Sequence, residues 1–257
     1  MGEHVTTDWW GAGRAVPIVH ALDALLDHME GRLDEYGSGQ PASHRDLLPL
    51  STGILPLDRV LGGGVRRGCV TIVEAGVAAQ ANALLCTVAR RIPYPCLLDS
   101  GRLLSTVAWL LAGSAGVPEV GITAADLSEQ EWKRLALGVE QLGDRQLCIS
   151  SVGSLRALAA VAQRSAVDVL LVHEADRLAA PIELVKELTK LAELTGLAII
   201  ATTGSFGELP EWVPEGVVRV PMASFNLGGK ATLLRVDDEE MLATVQVEVD
   251  CLSGDVR

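Results

Sequence analysis

The strongest constraint on this chain is an alternation that begins at Leu47. Short, continuous apolar runs at 70–73, 96–98, 146–149, 167–172 and 197–202 read as strands, separated by stretches with helical period. An uninterrupted apolar strand is one buried on both faces, which requires helices above and below it. Repeated strand–helix alternation therefore predicts a mostly parallel, twisted α/β sheet with helices on both faces. Helical patterns cover about 78–91, 103–112, 128–142 and 181–195. In the third, Ser128 and Glu131 form a capping-box pair, and Trp132, Leu135, Ala136, Val139 and Leu142 form the expected apolar stripe. Pro181 opens the fourth and Gly196 closes it. After Val217 the pattern changes, and 230–236 with 242–250 read as a hairpin around the acidic turn Asp237, Asp238, Glu239, Glu240.

The first 46 residues are of a different kind. Residues 1–17 read as a loose arm. In 18–35, Ile18, Leu22, Leu25, Leu26, Met29 and Leu33 lie on one helical face, and 36–44 (YGSGQPASH) is a linker by composition. The expected organisation is an arm, amphipathic helix and linker over 1–46, followed by one domain over 47–257. The stripe on the 18–35 helix must be covered, either by the chain's own domain or by a neighbouring subunit.

Composition narrows the partners. With 21 Lys and Arg against 33 Asp and Glu, the formal charge is −12, and no basic cluster is longer than a doublet such as Arg66-Arg67. Such a chain is expected to bind nucleic acid weakly or not at all on its own. No apolar stretch of membrane-spanning length and no apolar leader pattern is visible, so a cytoplasmic protein with no membrane partner is expected. The five cysteines, Cys69, Cys86, Cys96, Cys148 and Cys251, are dispersed, lack a CxxC spacing and read as buried reduced thiols, with no metal site expected.

One segment carries a resemblance. Residues 51–64, STGILPLDRVLGGG, followed by Val65, Arg66, Arg67 and Gly68, resemble the pattern that precedes the first core strand of RecA-like ATPases, in particular the replicative DNA helicase (DnaB) family. Residues 107–149 resemble that family's stretch after its second core strand, and the likeness covers about 50–203. The resemblance implies a RecA-like fold preceded by a linker-type helix, here 18–35, that docks on an adjacent subunit. The family's own N-terminal domain has no counterpart in this sequence.

The resemblance also locates the family's chemistry, and the expected residues are not there. Its phosphate loop, G-x-x-x-x-G-K-[ST], uses backbone N–H groups, a lysine and a Mg²⁺-binding hydroxyl. The matching stretch is Ala75-Gly76-Val77-Ala78-Ala79-Gln80-Ala81-Asn82, with Gln80 for glycine, Ala81 for lysine and Asn82 for the hydroxyl residue. The first lysine in the chain is Lys133. The activating glutamate falls on Asp99 or Ser100, and the metal-associated aspartate falls on His173, followed by Glu174 and Asp176. Of the late Lys-x-Arg finger, only Arg235, preceded by Lys230, remains. A finger alone contributes ~10³–10⁵ in rate.

The sequence therefore leads to a catalytically inactive DnaB/RecA-like protein, with no cofactor, acting as a regulatory or scaffolding subunit in DNA replication or repair. Its partner is expected to be another copy, a replicative helicase or another replication or repair protein. Two alternatives remain open. One is an active, divergent helicase ATPase that takes ATP and Mg²⁺ and uses Glu174 and Asp176. The other is a RecA/ImuA-type accessory protein of the DNA-damage response.

Overall fold

The computed structural model describes residues 16–17, 48–75, 78–204, 217–224, 230–237, 240–250 and 255–256. Among the described residues the chain builds one ten-stranded sheet in the order β1-β4-β3-β5-β6-β2-β7-β8-β9-β10. Its strands are β1 (Val16–Pro17), β2 (Val70–Ala75), β3 (Cys96–Asp99), β4 (Leu147–Ser150), β5 (Val169–Val172), β6 (Ala198–Thr203), β7 (Val217–Ser224), β8 (Lys230–Asp237), β9 (Glu240–Asp250) and β10 (Asp255–Val256). The run from β4 to β7 is parallel throughout. The strands after it are antiparallel, so the hairpin expected after residue 217 forms as β8–β9.

The helices are α1 (Leu55–Val60), α2 (Ala78–Arg91), α3 (Leu103–Ala115), α4 (Glu119–Thr123), α5 (Glu129–Gly143), α6 (Leu155–Arg164) and α7 (Pro181–Thr195). Strand side chains alternate between two cores. Val73, Leu98, Leu171 and Ile200 pack with α1, α2, α3 and α5 on one face. Ile72, Leu97, Leu170 and Ile199 pack with α6 and α7 on the other. This two-sided burial is what the uninterrupted apolar runs require. It gives the α/β, RecA-like architecture expected from the sequence.

Three local readings need correction. Val16–Pro17, expected within a loose arm, pair antiparallel with Ile149 and Cys148 of β4. The free edge of β4 offers unpaired backbone groups that a short extended segment can meet. On α5 the capping box forms, with Ser128 N–H donating to Glu131 at 2.8 Å and Glu131 N–H donating to Ser128 Oγ at 3.4 Å. The buried face, however, is Leu135, Gly138 and Leu142, while Trp132 is 40% exposed. The cause is Gly138, where an added Cβ would lie 3.1 Å from the Ala115 backbone nitrogen. The two helices approach backbone to backbone there, which turns the Trp132–Ala136 side outward. Finally, α6 was not among the expected helices. Ser154 caps it, accepting from Ala157 N–H at 3.3 Å, and Leu158, Val161 and Ala162 are its buried face. The expected apolar helix at 18–35, with Ile18, Leu22, Leu25, Leu26, Met29 and Leu33, lies outside the described residues.

The STG…LD…GGG segment folds as a knot around one carboxylate. Asp58, 9% exposed, accepts from Ser51 Oγ at 2.6 Å, Thr52 N–H at 2.8 Å and Thr52 Oγ1 at 2.7 Å. Its own carbonyl accepts from Gly63 N–H at 2.7 Å. Gly53, at φ +76, sits against the end of α2, where a Cβ would lie 2.8 Å from the Arg91 carbonyl oxygen. The pattern thus joins the entrance of β2 to the exit of α2. Asp58→Ala is expected to lower unfolding free energy by about 3 kcal/mol, because hydrogen bonds to a charged group contribute about 1.5–3 kcal/mol each and are not additive. The urea midpoint measures this, and Asp58→Asn, which keeps one acceptor oxygen, is expected to lose less.

Candidate functional site

In a parallel sheet of this kind, ligands bind outside the carboxyl ends of the strands. The sequence candidates converge on that edge. Ala75 ends β2, Asp99 ends β3, and His173 directly follows β5. Gln80, Ala81 and Asn82 lie in the first turns of α2, all buried, at 6%, 3% and 9% exposure. The Cys86 thiol donates to Asn82 Oδ1 at 3.4 Å, and burial pushes that thiol up to about 12. Gly76 and Val77, between β2 and α2, lie outside the described residues.

At the end of β3, Asp99 is fully buried and its carboxylate is engaged on every side. It accepts from Ser150 Oγ at 2.7 Å, from Val152 N–H at 3.1 Å and from the Arg177 guanidinium. Burial pushes the carboxyl up, opposed by Arg177 and these hydrogen bonds. Ser100 is equally enclosed, its Oγ accepting from Thr106 Oγ1 at 2.7 Å and from Arg102 N–H at 3.3 Å. A carboxylate and a hydroxyl committed in this way are not free to orient a water molecule.

His173 is 6% exposed, and neither ring nitrogen meets a hydrogen-bond partner. Its affinity for a proton is lowered, chiefly by burial, with Arg177 and Arg102 adding to the effect and Glu174 and Asp176 opposing it. A neutral imidazole cannot replace a carboxylate as a Mg²⁺ ligand in an oxygen-rich shell. Glu174 takes a left-handed conformation, φ 48 and ψ 55, and Asp176 lies in the 3₁₀ turn Ala175–Arg177. These two carboxylates follow the strand as parts of a turn. Among the described residues, no group of three or more His, Cys, Asp or Glu side chains could hold a metal ion. The described side chains following β5 at this edge are thus a buried imidazole and two carboxylates carried by a turn.

Sequence reasoning missed Arg177. It reaches Asp99 across 78 positions of chain, and only the pairing of β3 with β5 brings the two together. In the Arg66-Arg67 doublet, Arg67 is ion-paired with Asp168 at 2.9 Å. Cys86 and Cys96 are buried, Cys69 and Cys148 half-buried, and all four are free thiols. No described helix is long and apolar enough to cross a membrane.

The class defined by this fold is the RecA-like α/β domain. Two solved structures similar to this chain are one described as an ATPase domain and a DnaB-like replicative helicase described with its interactions with primase. The ATPase domain has a TM-score of 0.67 and 12% identity, covering 93% of this chain and 97% of that one. The helicase also has a TM-score of 0.67 and 12% identity, covering 92% of this chain but 65% of that one. At this identity the likeness establishes the fold. Residues 49–97 match the profile of a family of unknown function, DUF7125. No curated protein matches the chain in sequence.

Proposed function

We propose that this chain is a RecA-like, DnaB-type domain that has given up nucleotide hydrolysis and serves as a regulatory or scaffolding subunit in DNA replication or repair. The observation that carries this reading is the closed state of Asp99. The acidic group at the carboxyl edge of the sheet is fully buried and satisfied by Arg177, Ser150 and Val152. Ala81 and Asn82 at the lysine and hydroxyl positions, and neutral His173 at the metal-carboxylate position, agree with it. A protein partner is favoured by apolar side chains left in solvent on α4 and α5, with Val120 71%, Leu137 58% and Trp132 40% exposed. Self-association, or docking on a helicase subunit through the 18–35 segment, belongs to the same reading. The alternative of an active ATPase needs Glu174 and Asp176 as metal ligands, and their place in a turn gives it no support.

The test is a fluorescent-nucleotide titration of the full chain, with phosphate release measured in Mg²⁺. No saturable binding below about 100 μM, equivalent to about 5.5 kcal/mol, and no steady turnover are expected. Low-micromolar affinity or Mg²⁺-dependent turnover would overturn the proposal.

A further inference from the structure

The same edge of the sheet holds a group that its surroundings leave unsatisfied. His173 is buried with both ring nitrogens unpaired, an arrangement rare enough in folded proteins to call for a cause. Its backbone, by contrast, is gripped from two sides. His173 N–H donates to the Asp99 carbonyl oxygen at 2.8 Å, and its own carbonyl accepts from Arg177 Nε at 3.2 Å. The rest of the guanidinium binds the Asp99 carboxylate and the Val152 carbonyl. One arginine thus fastens the ends of β3 and β5 and the loop after β4.

Two further features show that the arrangement is built in. At Gly101 an added Cβ would lie 3.1 Å from Arg177 Cδ and 3.3 Å from Nε, so the missing side chain makes room for the arginine. Along the chain between His173 and Arg177, Glu174 takes φ 48, a conformation that a residue with a side chain keeps only under constraint.

We propose that His173 and Arg177 form a pH-operated clasp. With the imidazole neutral, Arg177 locks the three strand ends together. A proton on His173 places a second positive charge beside Arg177 inside the enclosure, and the turn opens. Among the described residues, the charged groups acting on the imidazole are Glu174, Asp176 and Arg177 from its own turn and Arg102 from the start of α3. From β6 the adjoining side chain is Thr202, which is uncharged and accepts from Glu174 N–H at 3.2 Å. Burial and the two arginines outweigh the two carboxylates, so the closed form resists protonation. The closed form therefore binds fewer protons than the open one. The clasp is complete above the ordinary histidine range, near 6.5, and weakens as pH falls through it, by about tenfold per unit. It does not depend on whether the chain hydrolyses nucleotide.

Hydrogen exchange of the full chain between pH 8 and 5, corrected for intrinsic rates, tests this. The reporting amides are Ser100, Val152, His173 and Arg177, whose bonds close the turn. In the wild type their protection is expected to fall about tenfold per unit below about pH 6.5, while amides inside β2 and β6 keep theirs. In His173→Gln the four amides should be insensitive to pH. Unchanged protection in the wild type down to pH 5, or an equal loss in His173→Gln, would overturn the clasp. Should the variant not fold, the ring-proton titration of His173 in the wild type decides. A midpoint below the ordinary value that coincides with loss of protection supports the clasp, and an ordinary midpoint overturns it.

Discussion

Gly64→Ala is expected to destabilise the domain by about 4 kcal/mol or more and to yield little folded protein. Gly64 sits at φ +132, where a Cβ would lie 2.6 Å from the Leu50 carbonyl carbon, 3.0 Å from Ser51 N and closer still to the Leu50 carbonyl oxygen. The obstacle is backbone, so no side chain can rotate away. Retreat would also break the reciprocal bonds between Leu50 and Val65, at 2.7 and 2.9 Å, that bring the chain into β2. Gly63→Ala is the internal comparison. It shares a positive φ, at +117, but its Cβ would meet Pro49 Cγ at an ordinary 3.6 Å, so it should carry only the conformational cost of about 1–3 kcal/mol. Gly143→Ala, in the last turn of α5 with nothing within 4 Å, is expected to be neutral or slightly stabilising. Soluble yield and urea midpoints of the three variants, measured side by side, check the ranking.

The second large effect is expected at Arg177. Its replacement by Met leaves Asp99 fully buried without its counter-charge, and breaking a buried pair from one side costs about 3–5 kcal/mol. The double variant Asp99→Asn/Arg177→Met removes the charge but keeps a side-chain oxygen for Ser150 and Val152. It should recover most of the loss, in a double-mutant cycle with a coupling of about 2 kcal/mol or more. Additive losses would mean that Arg177 acts through its bonds to the Val152 and His173 carbonyls instead.

The sequence made the parallel core legible because β2, β3, β5 and β6 are buried on both faces, and apolar residues dominate such strands without a regular polar alternation. The helices after β2 and before β6 were legible from their spacing and, in α7, from Pro181 and Gly196. What could not be read depended on distant neighbours. Trp132 sits on the apolar stripe of α5, yet Gly138 decides which side faces α3. Two residues at Val16–Pro17 are too few to show a period, and only the open edge of β4 makes them a strand. Ser154 and the spacing of Leu158, Val161 and Ala162 were signals enough for α6.

At the candidate site the substitutions in the phosphate loop are visible in the primary structure, whereas their context is not. Asp99 or Ser100 read as the residue standing at the activating-glutamate position. The commitment of Asp99 to Arg177 follows from β3 and β5 lying side by side, which no local pattern encodes. In the same way, Asp58 read as part of a family signature, and its three contacts with Ser51 and Thr52 show why serine, threonine and aspartate recur at that spacing.

The position of β2 in the sheet has a consequence for the order of events on the ribosome. This strand pairs with β6 on one side and β7 on the other, register by register from Val70 with Ile199 and with Val217. Both partners are synthesised more than a hundred residues later, at a vectorial rate of about 5–20 residues per second. Until then the nascent chain carries a strand that ends up buried along its whole length with both hydrogen-bonding edges open, an invitation to pairing with other chains. A polypeptide ending between α7 and β6 would hold that state permanently. Premature termination there should give insoluble material, while release beyond β7 closes both edges at once.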